Sequence, residues 1–284
     1  MFHVKQSFPF IEKTCILNTR TMQGRNTLAN IIAIANQKGG VGKTTTAVNL
    51  SSCVAGLGRR VLMIDMDPQG NCTSGLGVDK SSLQRTSYHV ITQEYPIQQV
   101  IRHTLIEHLD LIPANIQLAG AEIEMVTEQH REYRLKEALK EVSGQYDDIF
   151  IDCPPSIGIL TLNSLTAAHQ VIIPIQCEYY ALEGLSQLMN SVNLVKQGFN
   201  PALEVNGVVL TMFDGRTNLS NQVADEVRNF FHEKVYKTLI PRNVRLSEAP
   251  SYGLPVSMYD PSSAGARAYQ QLAEEYVAKE KKIG

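Results

Sequence analysis

The chain has 284 residues, 43% hydrophobic and 19% charged, and its 26 basic and 28 acidic side chains give a formal charge of −2. That composition excludes a disordered or collagen-like chain. Near-neutrality excludes a histone-like binder that is basic throughout, while leaving room for a local basic patch. The length suits one α/β domain of ~250 residues as well as two smaller ones.

Residues 1–30 hold four basic and one acidic residue and no sustained periodicity; they read as a flexible N-terminal extension. From Ile31 short apolar runs alternate with helical patterns. Strands are predicted at 31–36, 60–65, 109–113, 146–152, 170–175 and 205–212. Helices are predicted at 43–57, 116–126, 130–143, 158–168, 181–197, 219–231 and 263–280. Runs such as IIAIAN and VIIPI are apolar on both faces, as buried parallel strands require. The alternation predicts a doubly wound α/β fold, a mostly parallel sheet flanked by helices, over residues 31–284.

The sharpest signal is KGGVGKTTT at 38–46, between a predicted strand and a predicted helix. Glycines there let backbone N–H groups turn inward, and with the positive end of the helix dipole they cradle phosphate oxygens. Lys38, Gly39, Gly40, Val41, Gly42, Lys43, Thr44 and Thr45 form the candidate nucleotide loop. In it Lys43 reaches the β- and γ-phosphates and the Thr44 hydroxyl meets Mg²⁺. The usual pattern G-x-x-x-x-G-K-[ST] wants glycine at 37, where this chain has Gln37 followed by Lys38. The extra lysine adds a cation able to stabilise charge developing on the γ-phosphate.

Two strands then end in carboxylates: DMDPQGN places Asp65 and Asp67 at one tip, and FIDCPPS places Asp152 at another. In an open parallel sheet, ligands bind beyond the C-terminal strand ends, so all three face the loop. Asp152 fits an outer-sphere Mg²⁺ role and Asp67 the orienting of an attacking water; Thr44, Asp65 and Asp152 make the candidate metal set.

The segment 234–245, KVYKTLIPRNVR, carries Lys234, Lys237, Arg242 and Arg245 with no acid, and Arg216 and Arg267 are further basic candidates. Such a cluster binds DNA phosphates with strong salt dependence and without reading bases. The C-terminal AYQQLAEEYVAKEKKIG lacks the bulky apolar face of a membrane-surface helix and reads as a packing helix.

Five cysteines, Cys15, Cys53, Cys72, Cys153 and Cys177, form no C-x-x-C. They give no support to zinc or iron–sulfur sites and fit reduced thiols. No apolar run approaches the ~18 residues of a membrane span, and Pro9, Glu12 and Lys13 interrupt any signal-peptide core. The expected compartment is the cytoplasm.

The lysine-first loop marks the deviant Walker A class of P-loop ATPases. With it, RVLMIDMDPQGNCTSGLG, FIDCPPSIGILTLNSL, IPIQCEYYALEGLSQL, TMFDGRTNLSNQV and IPRNVRLSEAPSYGLPV resemble the ParA/Soj branch of chromosome- and plasmid-partitioning ATPases, from about residue 31 to 275. The resemblance implies an ATP- and Mg²⁺-dependent homodimer that sandwiches two nucleotides, with Lys38 crossing to the partner's nucleotide. It makes Asp67 the hydrolytic aspartate and places adenine and ribose against the IPRN segment, mainly Pro241 and Asn243. It further implies non-specific binding of double-stranded DNA by the dimer, stimulation by a ParB-type partner, and a nucleoid-associated location. A MinD-like ATPase acting at the membrane is the alternative; it calls for a lipid-inserting C-terminal helix, which the sequence does not display. An extension of 30 residues is too short for the helix-turn-helix domain of larger plasmid relatives.

Overall fold

The computed structural model describes residues 28–178 and 181–283. The extension expected at 1–30 lies outside the described residues except for its last three, and Asn30 already belongs to the first strand.

Eight strands form one sheet: β1 (Asn30–Ile34), β2 (Val61–Asp65), β3 (Arg102–His103), β4 (Leu109–Ile112), β5 (Asp148–Asp152), β6 (Gln170–Gln176), β7 (Glu204–Phe213) and β8 (Val235–Pro241). Their order is β3-β4-β2-β5-β1-β6-β7-β8, parallel except where β3 pairs with β4. The helices are α1 (Lys43–Gly56), α2 (Asn71–Gly75), α3 (Ser87–Ile91), α4 (Leu118–Glu124), α5 (Arg134–Leu139), α6 (Ile159–Ala167), α7 (Ala181–Gly198), α8 (Asn218–Phe231), α9 (Val244–Glu248), α10 (Val256–Tyr259) and α11 (Ala264–Ile283).

The two-faced apolar strands act as expected. Alternate residues of β1 go to opposite layers: Ala33 joins a core with Leu62, Ile64 and Ile151, whereas Ile32 and Ile34 join one with Leu50, Met63 and Phe150. Helices cover both faces, giving the doubly wound P-loop architecture. The second layer includes α11, whose Tyr269, Leu272, Ala273 and Tyr276 are buried together with Leu50 and Val54 of α1. The apolar face of α11 is thus spent inside the fold, and no helix among the described residues is long and apolar enough to cross a membrane.

Two expectations change. The segment 235–241, read above as basic surface, is the edge strand β8, paired with β7. The helix expected over 130–143 is a 3₁₀ turn at Arg131–Tyr133 followed by α5, because the chain enters it through His130 in the left-handed region at φ 55°. Cys53, Cys72, Cys153 and Cys177 are buried free thiols; Cys15 lies outside the described residues.

Candidate nucleotide site

The site forms where β1, β2 and β5 end side by side. Parallel register puts Ile34 opposite Asp152 and Asp65 opposite Asp152, so the central three strands stop at one level. The phosphate-loop residues leave from β1. Asn36 fixes their start, its Nδ2 donating to the Pro174 carbonyl (2.7 Å) and its Oδ1 accepting the Lys38 N–H (3.0 Å). Gly40 and Gly42 have φ of 74° and 87°, a region closed to most side chains. Gly42 is the residue from which α1 starts, and the Val41 carbonyl accepts Thr211 Oγ1 of β7 at 2.8 Å. The loop is therefore tied to β6 and β7 as well as to its own helix.

Lys43 is buried and its Nζ donates to the Lys38 carbonyl at 3.0 Å. Burial lowers its pKa from the ordinary lysine value, and the charges of Asp152 and Asp67 only partly offset this. The Lys38 side chain is half-exposed and, among the described residues, makes no ion pair. The neighbouring Gln37 donates to Ser191 on α7.

The two strand-end aspartates differ in employment. Asp65 is buried, and three donors occupy its oxygens: the Asp67 N–H (3.1 Å), the Thr73 N–H (2.8 Å) and the Thr73 hydroxyl (2.6 Å). Asp152 is equally buried, and neither of its oxygens has a hydrogen bond of ordinary geometry. Burial first and the Asp65 charge second push the Asp152 pKa well above the carboxylate range, while the Thr44 hydroxyl and Lys43 pull it only part of the way back. Burial likewise raises Asp65, against the pull of the Thr73 hydrogen bonds. Asp67 is buried at the mouth, its Oδ1 accepting the Gln69 N–H at 2.9 Å.

A buried carboxylate with open lone pairs, beside a threonine hydroxyl at a helix start, fits a hard cation that takes oxygen ligands and keeps some water. The donor set is thus compatible with Mg²⁺, with Asp152 and Thr44 nearest the role. Asp65 sits at the expected strand tip, but its oxygens serve the Asp67 turn.

A cavity of about 340 Å³ opens from the phosphate loop, its wall including Gly42, Thr45, Thr211, Met212, Pro241 and Asn243. The structure therefore unites the loop with the two IPRN residues expected to face a base, far apart though they are in the chain. Asn243 caps α9, its Oδ1 accepting the Arg245 N–H at 3.0 Å, which leaves its amide nitrogen for a ligand. Met212, Thr211 and Tyr269 escaped the sequence reading. Met212 has φ 51° at the end of β7, a strain of about 1–3 kcal/mol for such a residue. A larger cavity of about 700 Å³, lined by Arg228, Lys237, Glu275 and Lys279 among others, contains no residue of the phosphate loop.

The basic residues do not stand together. Lys237 lies within β8 while Arg242 follows its end, a separation of about 16 Å along a strand. Arg242 pairs with Glu178 (3.3 Å) and Arg216 with Asp214 (2.7 Å). Arg245 pairs with Glu248 (2.7 Å) and Asp260 (3.2 Å). Lys237 and Arg267 are exposed and make no ion pair among the described residues. The +4 run of sequence is, in space, two ends of a strand with carboxylates brought in from elsewhere.

The family model described as an AAA domain matches residues 29–205. The sporulation initiation inhibitor protein Soj of Bacillus subtilis is 58% identical over 251 residues, 88% of this chain and 99% of its own length. The chromosome partitioning protein ParA of Myxococcus xanthus is 50% identical over 261 residues, 92% of each chain. Among solved structures, a cobyrinic acid a,c-diamide synthase from Mycobacterium smegmatis with bound ADP and magnesium superposes with a TM-score of 0.80 at 38% identity, covering 90% of this chain and 97% of that one. The cell division ATPase MinD of Pyrococcus furiosus gives 0.74 at 25% identity, covering 90% and 100%. With half or more of the aligned residues identical to relatives matched over nearly their whole length, the chain belongs to the ParA/Soj family of chromosome-partitioning P-loop ATPases.

Proposed function

We propose that this partitioning ATPase works as an ATP-driven switch on DNA: two protomers enclose two nucleotides, the pair binds double-stranded DNA without sequence preference, and a ParB-type partner ends the cycle by speeding hydrolysis. The observation that carries this reading is the unsatisfied, buried Asp152 carboxylate beside Thr44 and Lys43, on the same phosphate loop whose Gly42 and Thr45 line a cavity that reaches Pro241 and Asn243.

ATP lies with its phosphates over the N–H groups of Gly39 to Thr45 and its base in the cavity. Lys43 exchanges the Lys38 carbonyl for phosphate oxygens. Mg²⁺, when bound, neutralises charge on the phosphate oxygens as the bond to the γ-phosphoryl group loosens. Thr44 and Asp152 would hold it. Asp67 accepts a hydrogen bond from the attacking water and sets its line of approach; Asp65 fixes the Asp67 backbone through a hydrogen bond. Lys38, half-exposed at the loop's entrance and without an ion pair among the described residues, is placed to serve the nucleotide of a second protomer.

Lys237 and Arg267 offer DNA their charge directly. Arg216, Arg242 and Arg245 contribute by exchanging carboxylate partners for phosphates. With only Lys237 and Arg267 of the five candidate residues outside ion pairs among the described residues, a protomer binds weakly, and a symmetric pair doubles them on one duplex, so ATP-dependent pairing sets DNA affinity. The complex is accordingly expected on the nucleoid. The fate of the apolar face of α11 favours this reading over a membrane-bound one.

Sedimentation of the wild type and Asp67→Ala with ATP, ADP or no nucleotide tests the switch. The expected result is a dimer with ATP only, long-lived in Asp67→Ala. A monomer under all three conditions would contradict the reading.

A further inference from the structure

The turn that carries Asp67 is closed by a single peptide unit. Gly70 donates its N–H to the Asp67 carbonyl (2.8 Å) and Gln69 donates its N–H to Asp67 Oδ1 (2.9 Å), while Asp67 Oδ2 accepts no hydrogen bond among the described residues. The carbonyl of the closing Gln69–Gly70 unit accepts the Lys80 ammonium at 2.7 Å. A trans peptide is planar, so whatever fixes its C=O also fixes its N–H. Gly70 has φ 61° and, as glycine, imposes little rotational preference of its own. The orientation of the unit therefore comes from its two hydrogen bonds, one to Asp67 and one to Lys80.

Lys80 is held in that position from both ends. Its Cδ lies 2.5 Å from the point where a Cβ on Gly70 would stand, so the stem crosses the bare face of the glycine. At its root, Lys80 heads the 3₁₀ turn Lys80–Ser82, capped by Asp79, whose Oδ1 accepts the Ser81 N–H (2.9 Å) and hydroxyl (2.8 Å). Further back, a Cβ on Gly253 would stand 2.8 Å from the Gly77 Cα, so the two backbones touch. Gly253 ends the 3₁₀ turn Ala249–Tyr252, and Pro250 of that turn lines the nucleotide cavity. The footing of Lys80 is thus fixed to the cavity wall.

A surface lysine ordinarily keeps its ammonium in water and its rotamers free. Here the side chain is half-exposed, its stem is laid across backbone, and its charge goes to a neutral carbonyl. The adjacent Asp79 carboxylate is engaged by Ser81, and Lys80 makes no ion pair among the described residues. A charged donor holds a carbonyl more firmly than a neutral one does. Lys80 lines no part of the nucleotide cavity, so any effect it has on the reaction passes through the turn.

We propose that Lys80 is a positioning residue for hydrolysis: by holding the Gln69 carbonyl, its ammonium keeps the Asp67 turn closed and the open Asp67 oxygen aimed at the attacking water. This rests on the reading of Asp67 as the group that orients that water. Without the ammonium, ψ of Gln69 and φ of Gly70 change together and the Gln69–Gly70 peptide rotates. The Gly70 N–H then leaves the Asp67 carbonyl, and the carboxylate spends time in directions that do not lead to the γ-phosphate. Nucleotide binding is unaffected, because the phosphate loop and the cavity hold ATP without the turn. A small displacement of an orienting group is enough to slow the chemical step.

Lys80→Met keeps the stem and removes the ammonium, and Lys80→Arg keeps a cation. ATP turnover, ATP affinity and amide hydrogen exchange are measured on the full chain with Mg²⁺. Lys80→Met is expected to lower kcat about tenfold with KM and ATP affinity unchanged, and Lys80→Arg to recover most of the loss. Exchange over residues 66–71 is expected to speed up in Lys80→Met, while exchange over 38–46 stays as in the wild type. Undiminished kcat in Lys80→Met would overturn the proposal. So would an equal loss in Lys80→Arg, or faster exchange throughout the chain, which would make Lys80 a general stabiliser. Wild-type turnover that survives Asp67→Ala would instead overturn the role given to Asp67; loss of turnover in Asp67→Ala beside normal turnover in Lys80→Met would overturn this proposal alone.

Discussion

Asp65 and Asp152 are register partners on the adjacent parallel strands β2 and β5, and both carboxylates are buried. Strand spacing of about 4.8 Å keeps them close. Asp65 spends its lone pairs on the Asp67 turn and Thr73, while Asp152 has none of its own satisfied. Two neighbouring carboxylates in a low-dielectric setting repel when both are ionised, so the pair raises its own pKa values. The arrangement costs the protein stability and is suited to a cation.

The cost is measurable at Asp152. An acid whose folded-state pKa lies above its unfolded value lowers stability once ionised. The penalty is absent below the ordinary aspartate range, grows as pH rises from there toward the raised value, and is constant above it. Asp152→Asn is therefore expected to melt higher than wild type at neutral pH without nucleotide, by roughly 2–4 °C for each kcal/mol relieved. The difference shrinks on acidification, and turnover is lost. Thermal unfolding across pH checks this; a lower melting point at neutral pH would count against it.

The two loop lysines separate by environment. Lys43 is buried against the loop and Asp152, and Lys38 is half-exposed. Lys43→Ala is expected to lose both nucleotide binding and turnover. Lys38→Ala is expected to keep ATP binding within a few-fold and to lose turnover and pairing. Calorimetric titration with ATP beside a phosphate-release assay distinguishes them; undiminished turnover in either variant would remove that lysine from the site.

Gly70 tests the backbone contact between the Asp67 turn and Ala114, in the segment that follows β4. It has φ 61°, and an added Cβ would stand 2.7 Å from the Ala114 carbonyl oxygen. Gly70→Ala is expected to lose roughly 1–3 kcal/mol of stability and to slow hydrolysis more than it weakens ATP binding. Urea unfolding with steady-state kinetics checks both, and an unchanged rate would show that the contact does not set the Asp67 geometry.

For DNA, the unpaired cations are expected to matter most. Lys237→Glu and Arg267→Glu each weaken ATP-dependent DNA binding several-fold at low salt. Each lowers the slope of log affinity against log salt by about 1 if the residue meets a phosphate. Arg245→Glu, whose cation is shared between Glu248 and Asp260, has the smaller effect while sparing ATP binding. Anisotropy on a labelled duplex ranks them, and the reverse ranking would relocate the DNA face.

The phosphate loop was legible because its chemistry is local: glycines at 40 and 42 supply the positive φ, and the flanking strand and helix follow from periodicity. Asp65, Asp67 and Asp152 were legible for a similar reason, each closing an apolar run. Strand β8 was not. Its VYKTLIP alternates weakly, with Lys237 facing out as edge strands favour and Pro241 at its end. The pairing of the basic residues was not legible, because charge counted along the chain misses acids arriving from afar, such as Glu178 at Arg242 and Asp260 at Arg245. The left-handed Met212 and the Thr211 bond to Val41 leave no sequence signal beyond their place at a strand end. Asn36 does leave one: an asparagine directly after an apolar strand and before a glycine-rich loop is a turn former.

The most direct test of the switch is the affinity of the wild type for an arbitrary duplex, measured with ATP, with ADP and without nucleotide over a range of salt. The expected result is tight binding with ATP alone, indifferent to sequence and falling steeply as salt rises. Equal affinity in the three nucleotide states would contradict a DNA interaction governed by ATP.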